Sequence, residues 1–246
     1  GDVIPHVVLV DKTKRSSNSK KYIFPKRCPS CDSKTVKDFN ESTKRHDAVR
    51  RCLNENFNCE KIAIECLKHF VSKEALNIDG FGKKIVEKFW ELKFVRFPHD
   101  IFNLNFEKIR ELDGWGSLSV SNLKYAIEKS KKISLNRFIY SLGIRHIGHE
   151  NAKLLANHLK NFNNFYKLSK INDIKSLSNI DGIGETQIKS IKVFFSNKIN
   201  LNILNKLKEN MYIFDNKLHT KDGILKNKTF MFTGKLKEIS RAEAKS

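Results

Sequence analysis

The sequence predicts a mainly α-helical chain: four helical hairpins in one compact domain, preceded by a β tail and a four-cysteine module and followed by the start of an α/β domain. Two observations lead there. A short phrase recurs as Ile78-Asp79-Gly80-Phe81-Gly82, Leu112-Asp113-Gly114-Trp115-Gly116, the variant Leu142-Gly143-Ile144-Arg145-His146-Ile147-Gly148, and Ile180-Asp181-Gly182-Ile183-Gly184. The last glycines of the copies lie 34, 32 and 36 residues apart, a near-constant period that marks one supersecondary unit used four times. Each copy also sits between stretches whose apolar residues recur at helical spacing, which makes the phrase the turn of a hairpin.

In chain order, residues 1–10 are rich in Val and Ile and read as a strand, the tail of a β domain that ends near residue 23. The basic run KTKRSSNSKK after it is a solvated loop. Cys28 and Cys31 then form a Cys-x-x-Cys knuckle, followed by Cys52 after 20 residues and Cys59 after six more. Four thiolates at such spacing suit one tetrahedral zinc, and a closed set of four leaves no position for a catalytic water, so the metal is structural. A redox Cys-x-x-Cys is the competing reading, but the surrounding sequence has no βαβ pattern and a second pair is present. Cys66 is left over as an ordinary half-buried thiol. This module occupies residues 24–65.

The helical domain is expected over residues 66–214. Ile85, Val86, Phe89 and Trp90 fall on one face of the second helix of the first repeat. Val120, Leu123 and Ile127 do so in the second, Ala152, Leu155, Ala156 and Leu159 in the third, and Ile188, Ile191 and Phe195 in the fourth. These stripes are core. One hairpin buries too little to stand alone, so the four should pack as two pairs. A last helix is expected near residues 200–209 and a linker over 215–227. A strand into a turn follows over 228–234, with Ser240 capping a further helix. The chain opens on Gly1-Asp2 and stops within that helix, and it reads as a fragment of a longer protein.

The repeated turn points to a task. Two glycines around one apolar residue permit a tight, partly left-handed path, and the second opens a helix whose free N–H groups and dipole suit a phosphate. With 47 Lys and Arg against 27 Asp and Glu, the formal net charge is +20, which favours a polyanionic partner. No apolar run reaches the roughly 18–20 residues of a membrane span and no signal peptide opens the chain, so a soluble intracellular protein is expected. His146-Ile147-Gly148-His149 and Lys167-Leu168-Ser169-Lys170 imitate the two signatures of class I aminoacyl-tRNA synthetases. Lys167 follows His149 by only 18 positions, too few for one βαβ unit, and the surroundings are helical.

The order of modules and the wording of the motifs resemble the C-terminal half of the NAD-dependent bacterial DNA ligases. GDVIP (residues 1–5) is similar to the end of that family's OB-fold domain. FPKRCPSC (24–31), Arg51-Cys52 and LKHFVSKEALNIDGFGKKI (67–85) resemble its zinc finger running into its first helix-hairpin-helix. RFIYSLGIRHIGHENAKLLA (137–156) resembles its third, and KTFMFTGKL (228–236) the first strand of its BRCT domain. The loop between Cys52 and Cys59 departs from the pattern, being one residue longer and lacking the usual glycines.

The resemblance implies a parent enzyme that seals nicks in duplex DNA in replication and repair, using NAD to adenylate a lysine and magnesium to assist. That lysine belongs to a Lys-x-Asp-Gly motif absent from this chain, where Lys221-Asp222-Gly223 lacks the intervening residue. NAD and magnesium would therefore bind outside it, and no catalytic residue is assigned here. It further implies a monomer without a membrane partner, in the cytoplasm at the bacterial nucleoid. The implied metal ligands are Cys28, Cys31, Cys52 and Cys59. The implied DNA contacts are Gly80, Gly82, Lys83 and Lys84, Gly114 and Gly116, Gly143, Arg145 and Gly148, and Gly182, Gly184 and Lys189. The second repeat has Ser117 and Leu118 where the first has lysines and should contact DNA least. Two alternatives stay open: a non-catalytic helix-hairpin-helix module of a repair nuclease or helicase, and an RNA-binding protein.

Overall fold

The structure, a computed structural model, describes residues 5–40, 44–54, 56–169 and 173–215. Four two-residue strands come first: β1 (Thr35–Val36), β2 (Phe39–Asn40), β3 (Arg45–His46) and β4 (Arg51–Cys52). The helical part follows with α1 (Glu60–Val71), α2 (Lys83–Glu91), a 3-10 helix (Pro98–Asn103), α3 (Phe106–Arg110) and α4 (Ser117–Ser130). Then come β5 (Lys132–Ser134), α5 (Leu135–Ser141), α6 (His149–Leu159), α7 (Phe162–Lys167) and a 3-10 helix (Asp173–Asn179), the third after Asn56–Asn58 and Pro98–Asn103. The last elements are α8 (Glu185–Ser196), α9 (Lys198–Asn210) and β6 (Tyr212–Phe214). Among the described residues, no helix is long and apolar enough to cross a membrane.

The chain forms two compact units. Of the described residues, one comprises those up to Ser130, Ser141–Gly143 and Lys198–Asn210, and the other Lys131–Tyr140, Ile144–Asn197 and 211–215. The first two hairpins lie in the first unit, and residues Ile144 to Gly148 of the third turn, with the fourth hairpin, in the second, where the sequence reading places all four in one domain.

Residues 5–10 form no strand, and Val8 stands 91% exposed. Apolar alternation makes a strand only when a partner supplies the ladder, and no described residue pairs with this one. In the cysteine module, β1 pairs antiparallel with β4 and β2 with β3. The first α-helix begins at Glu60, directly after Cys59, the last of the four clustered cysteines, so the expected boundary at residue 65 falls inside α1. The expected linker beyond Asp215 and the strand and helix of 228–246 lie outside the described residues.

The predicted stripes form the core. Val86, Phe89 and Trp90 on α2, Val120, Leu123 and Ile127 on α4, all four named residues of α6, and Ile191 and Phe195 on α8 are buried, while Ile85 and Ile188 are half-buried. Phe89 joins the first pair of hairpins, lying 5.4 Å from the turn residue Phe81 and 5.6 Å from the turn residue Trp115 between ring centroids. In the second unit the turn of the fourth hairpin packs on α6. A Cβ at Gly182, where φ is +87°, would stand 2.9 Å from Leu154.

Two features escape helical periodicity. The first arm of the fourth hairpin is the 3-10 helix Asp173–Asn179 rather than an α-helix, with Ile174 and Leu177 buried three residues apart as three residues per turn requires. β5 and β6 pair in parallel with Ile133 opposite Ile213, a union of segments far apart in sequence.

One buried polar group is costly. His99 is 4% exposed, stacks on Phe97 at an interplanar angle of 4°, and its Nδ1 has no hydrogen-bond partner among the described residues. Burial lowers its pKa below the ordinary 6.5, against the pull of Asp100 Oδ1 at 3.4 Å from Nε2 and with the repulsion of Lys206. The unfolded chain therefore binds the proton first, and stability falls as pH drops below 6.5. Chemical denaturation from pH 7 to 5 should show a loss in the natural chain, at most about 1.4 kcal/mol per pH unit from this group. The loss should be shallower in His99→Phe; equal slopes would contradict the assignment.

Candidate nucleic-acid interface and metal site

The four cysteines converge. Their Sγ atoms all lie within 4.8 Å of one another, with Cys28 and Cys59 3.9 Å apart and Cys31 and Cys52 3.4 Å apart. Metal–sulfur bonds of about 2.3 Å in a tetrahedron give sulfur–sulfur edges of about 3.8 Å, so the set fits one metal ion. Local structure places each ligand. The knuckle closes through Asp32 N to Cys28 O (2.9 Å) and Cys28 N to Ser33 O (2.7 Å), with Asp32 in the left-handed region at φ 55°. Arg27 Nη1 clamps it from outside, donating to Asp32 Oδ2 at 2.8 Å. Cys52 ends β4 and its sulfur accepts from Asn54 N at 3.3 Å, while Cys59 caps α1.

The thiols are poised unequally. The Ser33 hydroxyl and amide hold Cys31 down to about 6, whereas burial and then the neighbouring Cys31 push Cys52 up to about 12. The pair thus holds a proton that a metal must displace. Cys66 is apart from this set, and burial raises its thiol to about 11.

The four turns share one geometry. The N–H of the apolar plug donates to the carbonyl three residues back: Phe81 to Ile78 (3.1 Å), Trp115 to Leu112 (3.1 Å), Ile147 to Ile144 (3.0 Å) and Ile183 to Ile180 (3.0 Å). Phe81, Ile147 and Ile183 are buried and Trp115 half-buried. The second glycine then accepts the first helical bond, from Val86 to Gly82, Val120 to Gly116, Ala152 to Gly148 and Ile188 to Gly184, at 2.9 to 3.1 Å.

The position before the plug is left-handed in every copy: Gly80 (φ 79°), Gly114 (80°), Gly182 (87°) and His146 (61°). Glycine is favoured there because a side chain is strained. In the third hairpin that position falls to His146, whose carbonyl accepts from Asn151 Nδ2 at 3.0 Å, while Gly143, also left-handed, terminates α5. Aligning Ile144-Arg145-His146-Ile147-Gly148 on Ile78-Asp79-Gly80-Phe81-Gly82 would have found His146.

The second glycines differ in kind. Gly82 (φ −69°) and Gly148 (φ −78°) have backbone angles that any residue adopts, and a Cβ at Gly82, Gly116 or Gly148 would meet nothing within 4 Å. A side chain would fit sterically at these three places, and what glycine gives the fold at Gly82 and Gly148 is no more than a favourable N-cap. Its absence of a side chain leaves the backbone open to close approach from outside. At Gly184 the N–H already donates to Gln187 Oε1 at 3.2 Å.

Charge sets the hairpins apart. Lys83 and Lys84 are exposed at the first two positions of α2, which has no acid in its first turn. Cations at the positive end of a helix dipole are unfavourable by about 0.3–1 kcal/mol each unless an anion joins them. Glu150 and Glu185 stand in the first turns of α6 and α8. Arg145 and Lys189 are exposed beside the third turn and on α8. The first hairpin is braced by Lys68, whose Nζ bonds Glu65 Oε1 at 2.6 Å and Glu87 Oε1 at 2.7 Å across α1 and α2. Glu65 and Glu87 raise the Lys68 pKa, and Lys68 lowers that of Glu87.

The glycine turns stand between helices beside four converged cysteines, and the helix-hairpin-helix motif family matches residues 137–204, over the third and fourth hairpins. The likeness extends further. The chain is 69% identical over all 246 residues to a DNA ligase of Pelagibacter ubique (strain HTCC1062), covering 36% of that protein. It is 42% identical to a DNA ligase of Wolbachia pipientis subsp. Culex pipiens (strain wPip) and 43% identical to one of Rickettsia typhi (strain ATCC VR-144 / Wilmington). All of this chain is covered in both cases, with 37% and 36% of the relatives. The chain is therefore homologous along its whole length to a segment of the DNA ligases, and it spans little more than a third of their length. The resemblance to DNA ligases read from its motifs is borne out.

Elemental analysis should find one bound metal ion per chain. Its affinity should weaken as pH falls, by up to about tenfold per unit for each thiol proton displaced. Cys59→Ser should abolish retention and open residues 27–54 to protease while α2 to α9 stay folded; metal retained by that variant would contradict a four-sulfur site.

Proposed function

We propose that this chain is the DNA-gripping part of an NAD-dependent DNA ligase, holding nicked duplex while a nucleotidyltransferase domain elsewhere in the parent enzyme performs the chemistry. The observation that carries the reading is the turn geometry shared by four hairpins, with an unshielded backbone at Gly82, Gly116 and Gly148. Backbone N–H groups at these helix starts would meet phosphate oxygens, contacts that position a duplex without reading its sequence. Lys83 and Lys84 make the first hairpin the main ionic contact, with Arg145 and Lys189 adding charge at the third and fourth. Similarity to ligases along the entire chain favours this reading over a nuclease or helicase module.

The metal in this account is zinc, which prefers four thiolates and offers no open position when so bound. Cys28, Cys31, Cys52 and Cys59 would hold it in a structural role. NAD and magnesium act with the domain that carries the Lys-x-Asp-Gly lysine, and this chain, lacking that motif, should not ligate alone.

Binding to nicked duplex across a salt series tests the reading. If roughly five to eight phosphates are neutralised, log affinity should fall with log salt at a slope of about −4 to −7. Reversing both Lys83 and Lys84 to glutamate should flatten that slope by about two or more. An unchanged slope, or a preference for single-stranded RNA, would overturn the proposal.

A further inference from the structure

The second hairpin has no basic residue at its turn, yet it presents α4 to solvent with two large apolar side chains, Leu118 at 75% and Tyr125 at 69% exposed. Scattered exposed apolar residues need no explanation. Leu118 differs by its place. It is the second residue of α4, directly after Gly116, and helical side chains lean toward the helix N-terminus, so it stands beside the open backbone of the turn. The same position holds Lys84, Glu150 and Thr186 in the other hairpins, all exposed. In four equivalent places the chain therefore shows a cation, an apolar group, an anion and a small polar group.

We propose that Leu118 is an apolar contact to the deoxyribose edge of the same duplex whose phosphates meet the first hairpin. This rests on the DNA-gripping reading above. Three features select that occupant. Phe89 touches both turn residues, Phe81 at 5.4 Å and Trp115 at 5.6 Å, so a ligand seated on the first turn lies close to the second. α4 has no acid in its first turn to repel a phosphate backbone. Between its phosphates a duplex presents sugar C–H groups, and apolar side chains are an established way to engage the minor groove. The second hairpin thus supplies a contact that salt does not screen, complementing the ionic one made by Lys83 and Lys84. Tyr125, seven residues further along α4, lies two turns away from the mouth and stays outside the contact.

The test uses the 246-residue chain carrying Leu118→Ala, Leu118→Lys or Tyr125→Ala, with duplex binding measured across a salt series and association state by sedimentation. Leu118 is exposed, so the melting temperatures should match. Leu118→Ala should weaken binding roughly fivefold to twentyfold at every salt concentration, with the slope unchanged. Leu118→Lys should recover affinity at low salt and steepen the slope by about 0.9. Tyr125→Ala should bind as the natural chain does. Unchanged affinity in Leu118→Ala would overturn the proposal, as would a dimer in the natural chain that both alanine variants dissolve, which would give this face to a second copy. A natural chain without salt-dependent duplex binding would overturn the gripping reading and this contact with it.

Discussion

The helical part depends on a single reversal made four times: one left-handed residue, then a plug whose N–H returns to the carbonyl three positions back. That bond turns the chain while the plug fills the space beneath. The next residue is then free to start a helix, with nothing over it at Gly82, Gly116 and Gly148 and with Gln187 Oε1 against it at Gly184. The packing between hairpins follows from the same device. Phe89 holds two plugs together in the first unit, and Leu154 rests against the left-handed Gly182 in the second. A Cβ at Gly182 would meet both a strained φ and an overlapping methyl group, whereas at Gly82 it would meet neither. Glycines that look alike in the repeat thus differ in kind: Gly182 is required by the packing, and Gly82 is not.

The cysteine module solves a different problem. Ahead of Glu60, Cys59 is the only buried residue among those described, and the strands are two residues long. Such a segment has no apolar core to offset its conformational entropy. One metal ion held by the four converging sulfurs would supply the missing tie, and because Cys59 also caps α1, the module is continuous with the first hairpin.

Much of this was legible in the residues. The period of Gly82, Gly116, Gly148 and Gly184 located the turns, the stripes on α2, α4, α6 and α8 located the core, and the spacing of Cys28, Cys31, Cys52 and Cys59 located the metal set. Features that depend on partners distant in sequence were less visible. The pairing of β5 with β6 leaves no local signature, and the 3-10 arm at Asp173–Asn179 imitates helical spacing over too few residues to separate from an α-helix. The run Val7-Val8-Leu9 has strand composition but no described partner. Within the site, Gly143 drew attention because it is glycine, while His146 holds the conformation that the other repeats give to glycine. Residue type is a good guide to backbone angle only where the strained position is left unsubstituted.

On the proposed function, the glycines opening α2, α4 and α6 serve a ligand more than the fold. Gly82→Ala, Gly116→Ala and Gly148→Ala, combined in one chain, test it most directly through the denaturation midpoint and the affinity for nicked duplex. The expected result is a midpoint lowered by only a few degrees, because alanine is a poorer N-cap than glycine at Gly82 and Gly148 while it also restricts the unfolded chain, with affinity lower by at least about tenfold. Affinity equal to that of the natural chain, or a collapse of stability, would contradict it.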